Sequence, residues 1–285
     1  LISTPPSLRA RFPRDQKQMR SLTVVLCLLG CLLPLVSSSA VPTALPRLPR
    51  HPSVYELNTR VVVNELKQKL GRASLDDIPD TTLDELERAG FDIVYLLGVW
   101  QTGKYGMDMA KRLCKDAGLP DADAACSPFS ITAYTVHKDF GGDGALARLR
   151  ARLNLRGMRL MVDFVPNHLA VDHTWTAQKP HMFVQGTTDE LAREPVNYFQ
   201  SGSLVLAHGR DPYFDGWEDT AQLNYGVADT RKEMEGLLCK TAAMADGLRC
   251  DMAMLVCPEI LEQTWGSSGK LAPTGGQKGA SGAFW

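Results

Sequence analysis

The chain lacks an excess of charge of either sign. Its 285 residues contain 31 lysines and arginines against 32 aspartates and glutamates, which gives a formal net charge of −1. A near-neutral balance argues against a nucleic-acid partner and against a polybasic membrane surface. With 44% hydrophobic and 22% charged residues, the composition is that of an ordinary globular protein with enough apolar residues for a sizeable core.

The chain also lacks the cysteine spacing of a zinc site. It has seven cysteines but no C-x-x-C pair and no cluster of histidines and cysteines. Cys114 and Cys126 bracket a polar loop, and their spacing predicts a local disulfide in an oxidising compartment. Cys239, Cys250 and Cys257 cannot all pair with one another, and we expect them to be buried thiols.

A hydrophobic run of full membrane-spanning length is missing as well. Leu22 to Val36 is apolar but shorter than the roughly 20 residues that a spanning helix needs. A basic start before it and small residues after it predict a signal peptide over 19–40, cleaved before Val41. The chain is therefore expected to be secreted and to have no membrane partner once cleaved; an uncleaved membrane anchor is the alternative. Residues 1–18 are expected to be an unfolded upstream segment.

Strand and helix patterns alternate four times after the signal peptide. The predicted strands are apolar runs at Val54–Asn58, Phe91–Leu97 and Arg159–Phe164 and around Leu248. Capping-box or amphipathic patterns predict helices that begin near Thr82, Asp143 and Thr230. This alternation is typical of a parallel α/β fold.

Two parallel architectures compete for this pattern. A doubly wound nucleotide-binding sheet would need a glycine-rich turn after the first strand, and none follows Tyr55–Asn58. A (β/α)8 barrel carries its chemistry on the loops that follow the strands, and polar residues cluster after the third and fourth strands. We therefore predict an α/β fold of the (β/α)8 TIM-barrel type, truncated after about four of its eight β/α units.

The domain boundaries follow from composition. A proline-rich linker is predicted at 41–52, a partial barrel at 53–256 with an irregular insertion at 169–227, and a low-complexity tail at 257–285.

An arginine and an aspartate share one face of the fourth predicted strand. Side chains alternate along a strand, so Arg249 and Asp251 point the same way while Leu248 and Cys250 point the other. A charge pair on a buried strand is costly unless the site uses it. Asp251 is therefore the first candidate for chemistry.

Four motifs in order resemble the α-amylase family of glycosidases, glycoside hydrolase family 13. The resemblance covers roughly residues 53–256. Its motifs are Gly90–Leu97 for the second strand, Ser127–Ile131 through Asp139–Gly142 for the loop after it, Asp163–His168 for the third strand end and Gly247–Asp251 for the fourth.

The resemblance implies roles for five side chains. Asp251 would be the nucleophile that forms a covalent glycosyl intermediate, as retaining glycosidases require. Arg249 would bind the substrate, and its positive charge would keep the Asp251 carboxylate ionised. His168 would hydrogen-bond sugar hydroxyls, Phe129 would line the sugar subsite, and Asp163 would be structural.

The resemblance also implies ligands. The substrate would be an α-glucan or oligosaccharide with α-glucosidic bonds, and no organic cofactor is expected. Asn167 would be an oxygen ligand for a structural calcium ion, because hard cations take amide and carboxylate oxygens.

One part of the family pattern is not found. The family's acid/base glutamate lies at the end of the fifth strand, and Glu259 and Glu262 follow the fourth strand too closely to take that role. We therefore expect this chain to be an incomplete and inactive form of a secreted, retaining α-glucoside hydrolase or transglycosylase. The alternative is a non-catalytic amylase-like protein that binds carbohydrate or acts as a membrane-anchored interaction module.

Overall fold

A computed structural model of the protein describes residues 45–266, 271 and 284–285. The chain divides into Leu1–Ala40 and Val41–Trp285, and only the second unit contains described residues. The predicted upstream segment and signal peptide lie outside the described residues, as does most of the predicted tail. Residues 45–53, which include most of the predicted linker, contain no helix or strand.

The described part contains eleven strands and eight α-helices, numbered in chain order. The strands are β1 (Val54–Asn58), β2 (Ile93–Leu97), β3 (Trp100–Thr102), β4 (Ile131–Val136), β5 (Arg159–Phe164), β6 (His168–Ala170), β7 (Gln185–Gly186), β8 (Tyr198–Ser201), β9 (Leu204–Ala207), β10 (Thr220–Gln222) and β11 (Gly247–Cys250). The helices are α1 (Thr59–Leu70), α2 (Asp80–Arg88), α3 (Lys104–Asp116), α4 (Gly142–Asn154), α5 (Thr174–Gln178), α6 (Thr188–Arg193), α7 (Ala228–Met244) and α8 (Pro258–Trp265).

A four-stranded parallel sheet with the order β1-β2-β5-β11 forms the framework. Helices lie between successive strands, so the expected parallel α/β architecture is confirmed. The strands β2 and β5 are central and mostly buried, which agrees with the apolar residues Ile93–Leu97 of β2 and Leu160–Val162 of β5. The strand β11 is half-buried at the edge of this sheet, so the prediction that it is fully buried is wrong.

Helix α4 buries the apolar face that its sequence pattern predicts. Leu146, Leu149 and Leu153 are spaced by three and four residues, and all three are fully buried on one face. The helix ends just before Gly157, whose φ of +76° is in the left-handed region that glycine adopts without strain.

Two predicted helix starts are displaced. The helix expected to open with a capping box at Thr82 begins at Asp80 after Pro79, without a side-chain cap. The helix expected at Thr230 begins at Ala228, because the Thr230 hydroxyl is buried and donates to the Met182 carbonyl instead of capping.

The segment predicted as an irregular insertion contains regular structure. Strands β7, β9 and β8 form an antiparallel three-stranded sheet, and β10 pairs with β6. The pairing of β10 with β6 is important for the site, because it ties the insertion to the segment that follows β5. The predicted tail also begins with structure: α8 buries Leu261 and Trp265.

The predicted disulfide between Cys114 and Cys126 is absent, and the five cysteines from Cys114 onward are free thiols in the described part of the chain. The Cys126 sulfur packs so closely against Gly106 that a Cβ there would lie 2.4 Å from it. Cys114 lies eight residues further along α3, or about 12 Å at about 1.5 Å per residue. That separation is too large for a disulfide. Among the described helices, none is long and apolar enough to cross a membrane.

Truncation of a buried leucine on α4 should destabilise the protein more than truncation of an exposed leucine on α3. Leu146→Ala is expected to lower the free energy of unfolding by about 2–5 kcal/mol, because it leaves a cavity in a fully buried site. Leu113→Ala on α3 is the matched control: this leucine is 59% exposed, so a change within about 0.5 kcal/mol is expected. Urea unfolding of the full chain measures both, and equal losses would contradict the burial of α4.

Candidate active site

The carboxyl ends of β5 and β11 meet at one edge of the parallel sheet. Asp163 is the fifth residue of β5 and pairs in register with Arg249 of β11. Asp251 follows β11 directly, and its backbone N–H donates to the Phe164 carbonyl at 2.8 Å. The sheet thus brings together the residues that the sequence singled out, as parallel strands with chemistry at their ends require.

Asp163 is a fully buried carboxyl with several donors around it. The Tyr95 hydroxyl donates to one oxygen and the Gly98 backbone N–H donates to the other at 2.8 Å. The Trp100 indole N–H donates to the backbone carbonyl of the same residue at 2.8 Å. Burial raises the pKa of Asp163 to about 6, against the lowering effects of Tyr95, Gly98 and Arg249. These contacts connect Asp163 to β2 and to the residues that follow it.

Arg249 forms its close ion pair with Asp251 and lies 3.9 Å from Asp163. Its guanidinium also covers the Phe129 ring, 5.1 Å from the centroid, which is a cation–π distance. Burial raises the pKa of Asp251 and outweighs the lowering by Arg249. The ion pair therefore opposes protonation of Asp251, in the direction that the sequence predicts, but only offsets part of the cost of burial.

Asp251 and His168 line the same cleft, of about 280 Å³. The other lining residues come from the loop before β4, from the insertion and from the turn after β11: Ser127, Phe129, Trp217, Asp219, Thr220 and Met252. The volume is near the lower end of the range of small-ligand pockets, about 300–1,000 Å³.

His168 is a buried, neutral side chain in this cleft. Burial lowers its pKa to about 4, although the Phe129 backbone opposes the shift. Its Nε2 has no hydrogen-bond partner of normal geometry among the described residues. The ring lies 5.3 Å from that of Trp217. A neutral imidazole with an unused ring nitrogen can hydrogen-bond a ligand hydroxyl as donor or acceptor.

The neighbourhood of Asn167 does not fit a calcium ion. The side-chain oxygen of Asn167 accepts from the Gln222 amide at 3.0 Å, and its amide nitrogen lies 3.3 Å from both Gln222 and the His168 ring. Within the described part of the chain, no group of three or more histidine, cysteine or acidic side chains is placed to hold a metal. Asn167 thus fixes the turn between β5 and β6 against Gln222 of β10, and no chemical step is assigned to calcium.

Sequence reasoning missed several residues of the site. Tyr95 lies inside an apolar strand and looked like core. Trp217 and Asp219 lie in the insertion, where no periodic pattern assigned a face. Met252 has a φ of +48°, a strained value for a non-glycine residue that turns the chain directly after Asp251. Of these four, only Trp217 carried a signal, as one of several loop aromatics.

Comparisons with known proteins agree with this arrangement. The family profile described as "Alpha amylase, catalytic domain" matches residues 127–263, a stretch that holds Phe129, Asp163, His168, Arg249 and Asp251. This stretch is similar to the catalytic domain of α-amylases. The α-amylase MalA of Haloarcula japonica is 23% identical over 204 residues, which are 71% of this chain and 25% of that protein.

Solved α-amylase-family structures share the fold. The α-amylase of Lactobacillus plantarum superposes with a TM-score of 0.50 at 19% identity over 77% of this chain and 43% of its own. Trehalose-6-phosphate hydrolase of Bacillus licheniformis gives 0.51 at 16% identity, over 71% of this chain and 35% of its own. These are (β/α)8-barrel enzymes, so the predicted barrel-type fold is confirmed for this part of a barrel. The chain spans about a quarter of its curated relative and less than half of these structures.

The raised pKa of Asp163 predicts a specific pH dependence of stability. Its folded pKa of about 6 exceeds the ordinary aspartate value of 3.8, so the folded state binds more protons between these values. The free energy of unfolding should therefore fall as the pH rises from about 4 to 6, by up to about 1.4 kcal/mol per pH unit. Asp163→Asn should remove the contribution of this residue and make the fall shallower, as urea unfolding across that range would measure.

Asp246→Asn is the control, because the pKa of Asp246 is shifted in the opposite direction. Burial alone would raise the pKa of Asp246, but hydrogen bonds from Arg150, the Leu160 N–H and Asn154 lower it. Its stabilisation is present above the unfolded pKa and is lost as the pH falls through the folded one. Asp163→Asn and Asp246→Asn should therefore change the pH profile in opposite directions, and parallel changes would contradict the assignment.

Proposed function

We propose that this chain is part of a retaining α-glycoside hydrolase or transglycosylase in which Asp251 is the nucleophile. The observation that carries the proposal is the position of Asp251 in a small cleft, ion-paired with Arg249 and accompanied by neutral His168. The α-amylase-family match over these residues supports the same reaction class. The proposed substrate is an α-glucan or α-linked oligosaccharide.

In the proposed reaction, an Asp251 oxygen attacks the anomeric carbon and forms an ester to the sugar while the glycosidic C–O bond breaks. Arg249 holds the carboxylate through one oxygen and lowers its pKa, which keeps the attacking form available. His168, uncharged near neutral pH, orients sugar hydroxyls through its unused Nε2. Water then hydrolyses the ester, or another sugar accepts the glycosyl group.

The leaving oxygen needs a proton from an acid/base carboxyl. Among the described residues that line the cleft, the carboxyls are Asp251 and Asp219, and none is a glutamate. This favours, for the chain as given, a second candidate function: carbohydrate binding with little or no turnover of ordinary glycosides. The two functions differ in the chemical step and share the same cleft.

A glycosyl fluoride tests the nucleophile independently of an acid/base carboxyl, because fluoride leaves without being protonated. The full chain incubated with 5-fluoro-α-D-glucosyl fluoride is expected to acquire one covalent glycosyl group on Asp251, because the fluorine slows hydrolysis of the ester. Intact-mass and peptide mass spectrometry would locate the group. Asp251→Asn should abolish the label.

Asp215→Asn, a change at an exposed position of the insertion, is the matched control and should label like the parent. An adduct on another residue, or equal labelling of the Asp251→Asn variant, would refute the nucleophile assignment. No adduct combined with binding of maltotriose would leave carbohydrate binding as the function.

We also propose that the protein enters the secretory pathway through residues 19–40. Expression of the full chain in a eukaryotic secretory host is expected to release a form that begins near Val41 into the medium, as N-terminal sequencing would show. The alternative anchor predicts an uncleaved form that sediments with membranes. A cytosolic form with residues 19–40 intact would contradict both.

A further inference from the structure

Two aromatic residues beyond α8, Phe284 and Trp285, pack beside the site. The Phe284 ring is partly buried against the core. It stacks on the Phe164 ring, with the centroids 6.3 Å apart and the planes 12° apart, and it meets the Tyr225 ring edge-on at 5.2 Å. Both distances are those of favourable aromatic pairs. Phe284 is thus anchored on two rings.

Both of these rings are tied to the end of β5. Phe164 is the last residue of that strand, and its backbone carbonyl accepts from the Asp251 N–H at 2.8 Å. The Tyr225 hydroxyl donates to the Pro166 carbonyl at 2.6 Å. Phe284 therefore packs on the same strand end against which Asp251 is placed.

Trp285 contacts the turn that follows Asp251. Its indole N–H donates to the Ala253 carbonyl at 2.9 Å, and its ring packs edge-on against Phe284 at 4.9 Å. Ala253 follows Met252, whose φ of +48° is strained for a non-glycine residue. A strained backbone persists where the surrounding structure holds it. The bond from Trp285 holds a backbone group one residue from this strained position.

The other backbone bonds of this turn are local. The Leu255 N–H donates to the Met252 carbonyl at 3.0 Å, and the Cys257 N–H donates to the Met254 carbonyl at 3.1 Å. Neither bond fixes the turn relative to the sheet. The bond from Trp285 does so, because the packing of Phe284 connects the indole to the end of β5.

We propose that Phe284 and Trp285 form a latch that holds the turn after Asp251 and thereby positions the Asp251 carboxylate. Neither residue of the latch is among those that line the cleft, so its role is positioning and not contact with a ligand. The effect on covalent chemistry rests on the proposed function, whereas the effect on the turn does not.

Hydrogen exchange in the full chain, followed by peptide mass spectrometry, tests the contact with the turn. Phe284→Ala should speed exchange in the peptide 251–257 roughly tenfold or more, because it removes a large, partly buried ring. Trp285→Phe keeps an aromatic ring but loses the N–H donor, so it should speed exchange there by roughly two- to fivefold. Exchange in β2, which lies two strands from β11, should be unchanged in both variants.

Phe214→Ala is the matched control, because that ring is 73% exposed and its loss should leave exchange in the peptide 251–257 unchanged. An equal acceleration in β2 and in this peptide would indicate a general loss of stability and would overturn the latch. Unchanged exchange in Phe284→Ala and Trp285→Phe would overturn it as well. Urea midpoints check the fold of each variant, and Trp285→Phe decides the case if Phe284→Ala is unfolded.

The rate of covalent labelling by 5-fluoro-α-D-glucosyl fluoride tests the consequence for Asp251. Trp285→Phe should lower the maximal labelling rate constant by roughly two- to fivefold. The reagent concentration that gives half of this rate should stay the same, because the latch does not contact the ligand. A change in that concentration alone would contradict the positioning role. If the parent acquires no label but exchange responds as expected, the proposed function fails and the latch stands.

Discussion

The buried carboxyl of Asp163 holds the site together. It accepts from Tyr95 at the middle of β2 and from Gly98 just beyond that strand, and its backbone carbonyl accepts from Trp100. Through Arg249 it also faces β11. Loss of this carboxyl would leave the Tyr95 hydroxyl and the Gly98 N–H without their buried partner, at a cost of about 1–3 kcal/mol for each. The position of the proposed nucleophile therefore depends on a residue that need not touch substrate.

One half-exposed arginine serves two buried aspartates, and this limits their ionisation. Arg249 makes its close pair with Asp251 and stands 3.9 Å from Asp163. Burial raises the pKa of both carboxyls, because a single cation cannot offset the desolvation of two anions. Below a pH of about 6, Asp163 is mostly protonated and no longer contributes a negative charge beside Arg249.

The sequence predicted the sheet well and the insertion poorly, for physical reasons. The bounds of β5 were correct because apolar residues predominate in a strand that is buried on both faces. The residues at those ends were found because parallel strands put chemistry there. Tyr95 was missed because its hydroxyl interacts with Asp163, 68 residues away, and its neighbours in sequence are apolar. The helix starts were displaced because tertiary contacts, such as that of Thr230, replaced local caps.

The cleft combines residues of the parallel sheet with residues of the insertion. Its floor is formed by the ends of strands, where side chains alternate regularly between the two faces. The two-residue spacing of Arg249 and Asp251 could therefore identify Asp251 from the sequence. Its opposite wall comes from Trp217 and Asp219, which are placed by the pairing of β10 with β6. That pairing is long-range and leaves no periodic trace in the sequence. A site of this construction keeps its reacting group on the rigid sheet, while ligand selection depends on a loop-derived segment that can vary without disturbing the sheet.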